Sequence, residues 1–150
     1  MPKRIAVCIG INYYKNSPES TLEFACDDAI AISSLLRDDS RGQFDDVIEI
    51  YNQDGNKNNI ITTLRSVFLD PSRSQDDLIL VYFSGHGIKD NGANLCLIPH
   101  DVEFLSDNTI DVFSTIHITD FQKLADNTHA NTVILILDAD RKSTRLNSSH

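Results

Sequence analysis

The stretch Leu78-Ile79-Leu80-Val81-Tyr82-Phe83-Ser84-Gly85-His86-Gly87 decides how this chain folds. Its six leading apolar residues, with no polar interruption, mark a strand buried on both faces, as in a parallel sheet covered by helices. The strand is expected over Leu78–Phe83 and gives way to Ser-Gly-His-Gly. Sites in open parallel sheets form outside the carboxyl ends of the strands, which is where His86 falls. Gly85 and Gly87 let the backbone approach a ligand closely and leave an N–H bare enough to donate to an oxyanion. Taken alone, the same residues also fit a histidine in a flexible turn.

Outward from this stretch, strand and helix patterns alternate. Upstream, Ile5–Asn12 reads as another doubly buried strand. Pro18 and the pair Ser20/Glu23 then give a capping-box signature. Leu22, Ala25, Cys26, Ala29, Ile32, Leu35 and Leu36 follow on one helical face. Val47–Tyr51 reads as a strand closed by Asp54-Gly55, and Ile60, Ile61, Leu64, Val67 and Phe68 as a second amphipathic helix. Downstream come a turn at Asn91-Gly92, a short strand Leu95–Ile98 and a polar loop over 100–118. A short helix capped by Thr119 through Leu124 and a fourth buried strand, Val133–Leu137, complete the pattern. The alternation predicts an α/β fold in three layers, a mainly parallel sheet with helices on both faces.

The chain has 150 residues, close to one domain. With 41% hydrophobic and 23% charged residues it is ordinary globular material, not disordered, collagenous or coiled-coil. Twenty-two acids against 13 bases give a net charge of -9. Such a surface repels nucleic acid and anionic membranes and suits a basic partner or substrate. Cys8, Cys26 and Cys96 form no CxxC and read as buried thiols. The apolar run after Lys3 and Arg4 is short for a signal peptide and lacks a cleavage site. Nothing approaches the length of a membrane span. These features predict a cytoplasmic protein.

Val81-Tyr82-Phe83-Ser84-Gly85-His86-Gly87 resembles the histidine motif of caspase-like cysteine peptidases, the metacaspases and their bacterial relatives especially. Ile9-Gly10-Ile11-Asn12-Tyr13 is similar to that family's first strand, and Leu22-x-x-Ala25-Cys26-Asp27-Asp28-Ala29 to its first helix. Leu137-Asp138-Ala139 looks like the lead-in to the catalytic cysteine. That cysteine is expected about 50 residues beyond the histidine, and position 140 lies 54 past His86. The resemblance covers residues 4 to 139 and implies the caspase-like fold and cysteine-type endopeptidase activity. It makes His86 the general acid/base and Gly87 an oxyanion N–H donor. It places Asp28 and Asp138 in the primary specificity pocket. Two carboxylates at one cleft attract Arg or Lys. True caspases carry an arginine six residues before the helix-one aspartate, and Leu22 stands there, so cleavage after a basic residue is expected. Asp28 also fits a helix N-terminal carboxylate favoured by the macrodipole, and Asp27 has no role beyond that.

Where the cysteine belongs, the chain has Asp140. A carboxylate is a poor amide nucleophile, because its acyl adduct is an anhydride that readily reverts. Loss of a hydrolase nucleophile costs on the order of 10⁶ in turnover. Cys8 falls within the first strand, Cys26 on the apolar face of the first helix and Cys96 in a short strand only ten residues past His86, so none replaces it and the chain is expected to be inactive as it stands. One explanation is a pseudoprotease module that holds a basic partner in an acidic cleft without cutting it. The other is that the caspase-like portion is residues 1–139, truncated after the fourth main strand, followed by a disordered or non-native tail, 140–150 (DRKSTRLNSSH). The abrupt failure of the pattern favours the second. A bare strand edge at 133–137 then invites self-association. Calcium dependence is common among metacaspases, but no ligands can be assigned: Asp101, Glu103 and Asp107 are loop acids. His100, His117 and His129 have no metal-ligand spacing and are expected at the surface.

Overall fold

The computed structural model describes residues 2–141. Its elements are β1 (Arg4–Gly10), α1 (Ala25–Arg37), β2 (Asp46–Tyr51), α2 (Lys57–Phe68), β3 (Leu78–Lys89), β4 (Leu95–Leu97), β5 (Ile116–His117), α3 (Ile118–Asn127) and β6 (Thr132–Arg141). Four strands run parallel, with β1 between β2 and β3, and β6 on the other side of β3. The expected continuous apolar runs are the two central strands: β1 is buried from Ile5 to Gly10 and β3 from Ile79 to Ile88. Antiparallel β4 and β5 extend the sheet from the far end of β3.

Two apolar layers hold the helices to opposite faces. Val7, Ile9, Ile79, Val81 and Phe83 pack with Ile60, Leu64, Val67 and Phe68 of α2 and Phe121 of α3. On the other face Ala6, Cys8, Leu80 and Tyr82 meet Ala29 of α1, with Ile32 and Leu36 partly buried beside them. The contacts of α1 are small because it lies very close to β1. A Cβ at Gly10 would stand 2.8 Å from the Ala25 carbonyl oxygen and 2.9 Å from the Ala29 Cβ. Only glycine allows that approach, and it fixes where the first turn of α1 meets the sheet end.

Several local expectations are corrected. The capping box at Ser20 and Glu23 does not form: Ser20 closes a single 3-10 turn, Pro18–Ser20, and α1 starts at Ala25 with no side-chain cap. Leu35 is exposed, while the unforeseen Ser33 is buried, because α1 begins later and its buried stripe is narrower. The third strand does not stop at Phe83. It runs through His86 to Lys89 because Gly87–Lys89 pair with Leu95–Leu97 and Ser84–Gly87 with 138–141. The interval 100–118 contains β5 and buries Val102 and Ile110. Thr119 does not cap α3; His117 precedes it and the helix continues to Asn127. The fourth main strand extends from Thr132 to Arg141, and the expected tail lies, from residue 142, outside the described residues. Among the described residues no helix is long and apolar enough to cross a membrane.

Candidate active site

His86 is 1% exposed and sits within β3, not in a turn. Alternation along the strand puts Ser84 and His86 on the face shared by Leu80 and Tyr82, toward α1. Its ring Nε2 stands 2.7 Å from the Ser20 carbonyl oxygen. A carbonyl can only accept, so Nε2 carries a proton and donates it there. The Tyr14 hydroxyl accepts the His86 backbone N–H at 2.8 Å, and the two rings are 5.1 Å apart. Gly85 makes room for this: a Cβ there would lie 2.9 Å from the Tyr14 hydroxyl. At Gly87 a Cβ would lie 3.1 Å from that of Ala139. Both glycines therefore serve packing of the strand around the histidine.

Next to His86, between the start of α1 and the later residues of β3 and β6, a cleft of about 420 Å³ is lined by Leu22, Glu23, Asp28, Ser84, Gly85 and Asp138 among others. Asp28 and Asp138 thus meet in one cleft, whereas Asp27 is exposed outside it. Their charges also register on the buried phenol of Tyr82. Burial pushes its pKa up, and Asp138 and Asp28 push the same way, against a hydrogen bond with Ser84. Among the described residues the cleft is lined by a third carboxylate, Glu23, and by no basic side chain. Leu22 forms part of its wall.

Position 140 is the parallel register neighbour of His86, as Asp138 is of Ser84. Adjacent strands lie about 4.8 Å apart, so the backbone brings residue 140 beside the histidine without any loop rearrangement. None of the cysteines does the same. Cys8, Cys26 and Cys96 are free and buried, and burial pushes each thiol pKa up. Cys26 donates to the Gly10 carbonyl.

Sequence reading missed two supports of His86, the Tyr14 hydroxyl and the Ser20 carbonyl. It also placed His100 and His117 at the surface. His100 is buried, its Nδ1 2.6 Å from the Tyr13 carbonyl oxygen, and of the three expected at the surface His129 alone is exposed. His117 is half-buried next to Cys96, across the β4–β5 pair. Of the loop acids, Asp101 accepts the Lys57 N–H at the start of α2, and Asp107 accepts from Thr109. Among the described residues no three carboxylate oxygens lie close enough together to share one ion.

A mixed α/β sheet that carries a glycine-flanked histidine within its central strand, with the neighbouring parallel strand delivering a residue beside it, is the arrangement of a caspase-like domain. The family model of the caspase domain, a peptidase family, matches residues 3–149, and the chain belongs to that family. No functionally curated protein matches it. Among solved structures it is similar to the crystal structure of a protein from Geobacter sulfurreducens, with a TM-score of 0.66 and 16% identity. The match covers 91% of this chain and 49% of that one, so the chain spans about half the length of the solved structure. At this identity the likeness is one of fold.

Proposed function

We propose that this domain has the layout of a cysteine-type endopeptidase that takes a basic residue, Arg or Lys, into its acidic cleft, and that with Asp140 in the nucleophile position the present chain holds such a peptide uncut. The observation that carries this reading is the register of β3 and β6, which sets His86 beside position 140 and Asp138 beside Ser84 at the cleft. His86 is the general acid/base, with the Ser20 carbonyl orienting its ring, and the Gly87 N–H is the oxyanion donor. Asp28 and Asp138 supply the charge that selects the basic side chain. The resemblance in the histidine motif is to metacaspases, whose preference this charge pattern fits.

A peptide ending in arginine is expected to bind the chain and remain intact, while the same peptide ending in aspartate does not bind. Asp28→Asn and Asp138→Asn should each weaken arginine-peptide binding about fivefold, the worth of one partly solvated ion pair. Titration calorimetry reads both. Equal affinity for the two peptides would sink the charge reading.

The partner proposed for the free edge of β6 is a second copy of the chain. Among the described residues β6 pairs only with β3, and Ile134 and Ile136 are 39% and 42% exposed. An apolar edge of this kind templates strand pairing. Light scattering should show mass rising with concentration, and Ile136→Lys should restore a monomer. A monodisperse monomer of the unaltered chain would refute it.

A further inference from the structure

Away from the cleft, β3, β4 and β5 bring three unlike side chains to one point. The ligand atoms of Asp90, Cys96 and His117 all lie within 4.8 Å of one another. Asp90 follows directly on the end of β3, Cys96 is the middle residue of β4, and His117 is its antiparallel register partner on β5. The Cys96 Sγ and His117 Nδ1 are 3.5 Å apart, and an Asp90 carboxylate oxygen is 3.9 Å from the same nitrogen.

The orientation of the ring is fixed from behind. His117 Nε2 is 3.1 Å from the Val112 carbonyl oxygen, which can only accept. The proton therefore sits on Nε2, and the Nδ1 lone pair faces the thiol and the carboxylate. A backbone carbonyl holding the far ring N–H is the usual outer support of a metal-bound histidine. Asp90 is set in the same way. Its Oδ1 accepts the backbone N–H groups of Gly92 and Asn94, both at 2.9 Å, which turns Oδ2 toward His117.

We propose that Asp90, Cys96 and His117 form a binding site for a borderline-soft divalent cation, zinc first. Zinc favours thiolate and imidazole together with a carboxylate. With Zn–S near 2.3 Å and Zn–N near 2.0 Å, a tetrahedral ion sets sulfur and nitrogen about 3.5 Å apart, which is the spacing present. The half-buried Asp90 and His117 leave the fourth position to solvent. Calcium and magnesium do not suit a thiolate and an imidazole. On binding, the Cys96 S–H ionises, its proton passes to water and the sulfur bonds the metal; no oxidant or reductant takes part. The ion would clip β5 and the β3–β4 turn together, three residues beyond Gly87.

Cobalt(II), added alone to the reduced chain, tests this through its colour. One equivalent should give the near-ultraviolet thiolate-to-cobalt band and the visible bands of a tetrahedral ion. Zinc should then displace the cobalt. Cys96→Ser should abolish the thiolate band, and His117→Gln and Asp90→Asn should each weaken binding at least tenfold. Cys8→Ser and Cys26→Ser should leave the band intact. Circular dichroism of each variant separates loss of ligand from loss of fold, and the half-exposed His117→Gln keeps the test open if Cys96→Ser unfolds. Absence of a thiolate band in the unaltered chain, or its survival in folded Cys96→Ser, overturns the proposal.

Discussion

Asp140→Cys is expected to switch on covalent chemistry that, on the function proposed above, the present chain lacks. The strand register already sets position 140 next to His86, so the substitution supplies only the missing nucleophile. A thiol beside an imidazole ionises far more readily than a free cysteine, and the thiolate is the attacking species. Loss of such a group lowers hydrolase turnover by on the order of 10⁶, and its restoration should return a comparable factor at the acylation step. An arginine-ended peptide chloromethyl ketone, whose methylene carbon alkylates an activated thiol irreversibly as chloride leaves, is the suitable probe. Mass spectrometry should show one adduct on Asp140→Cys within minutes and none on the unaltered chain, whose three cysteines are buried. Adding His86→Ala should slow labelling at least a hundredfold, the usual worth of a positioned acid/base. An aspartate-ended ketone should label slowly, because Glu23, Asp28 and Asp138 repel it. Labelling independent of His86, or indifferent to the charge of the peptide, would refute the site assignment.

The readable parts of this protein were those written in local pattern. The runs of β1 and β3 announced buried central strands, and the face of α2 from Ile60 to Phe68 announced its helix. The meeting of Asp28 and Asp138 followed from strand order and a family motif together. Failures arose where tertiary partners overrode local signals. Ser20 and Glu23 match a capping box, yet the Ser20 hydroxyl pairs with Ser17 and its carbonyl meets His86, while Glu23 faces the cleft. The glycines at 85 and 87 suggest a turn, but strands on both sides keep the backbone extended. The trio Asp90, Cys96 and His117 has no ligand spacing in sequence. It exists because a two-residue strand, too short to carry periodicity, sets His117 opposite Cys96.

Asp77→Ala is expected to be among the most destabilising single changes in the chain. Asp77 is 3% exposed and lies at the foot of the sheet, just before β3. Its carboxylate accepts the Lys3 N–H at 2.9 Å, the Ser74 N–H and hydroxyl at 3.0 Å, and the Arg73 guanidinium at 3.3 Å. Arg73 is itself buried and donates twice to the Val67 carbonyl in the last turns of α2. One carboxylate thus joins the entry to β1, the entry to β3 and the end of α2. Removing it leaves the buried guanidinium with only the half-exposed Asp70, 3.7 Å away, as counter-charge, and strips the Lys3 and Ser74 N–H groups of their acceptor, at a cost of about 3 kcal/mol. Asp77→Asn retains an acceptor and should cost less. Burial alone would raise the pKa of this carboxyl, but the hydrogen bonds outweigh it and hold the value down to about 2. In the unfolded chain the group titrates near the ordinary value of about 3.9. A depressed native pKa contributes stability that is fully present above the unfolded value and drains away as pH falls toward the native one. The unaltered chain should therefore lose this contribution between about pH 4 and pH 2. Asp77→Asn, with nothing to protonate there, should show a shallower fall across the same window. Urea midpoints measured at intervals from pH 7 to pH 2 read the difference. Parallel curves for the two proteins would mean that Asp77 is not the group that ties acid stability to the sheet.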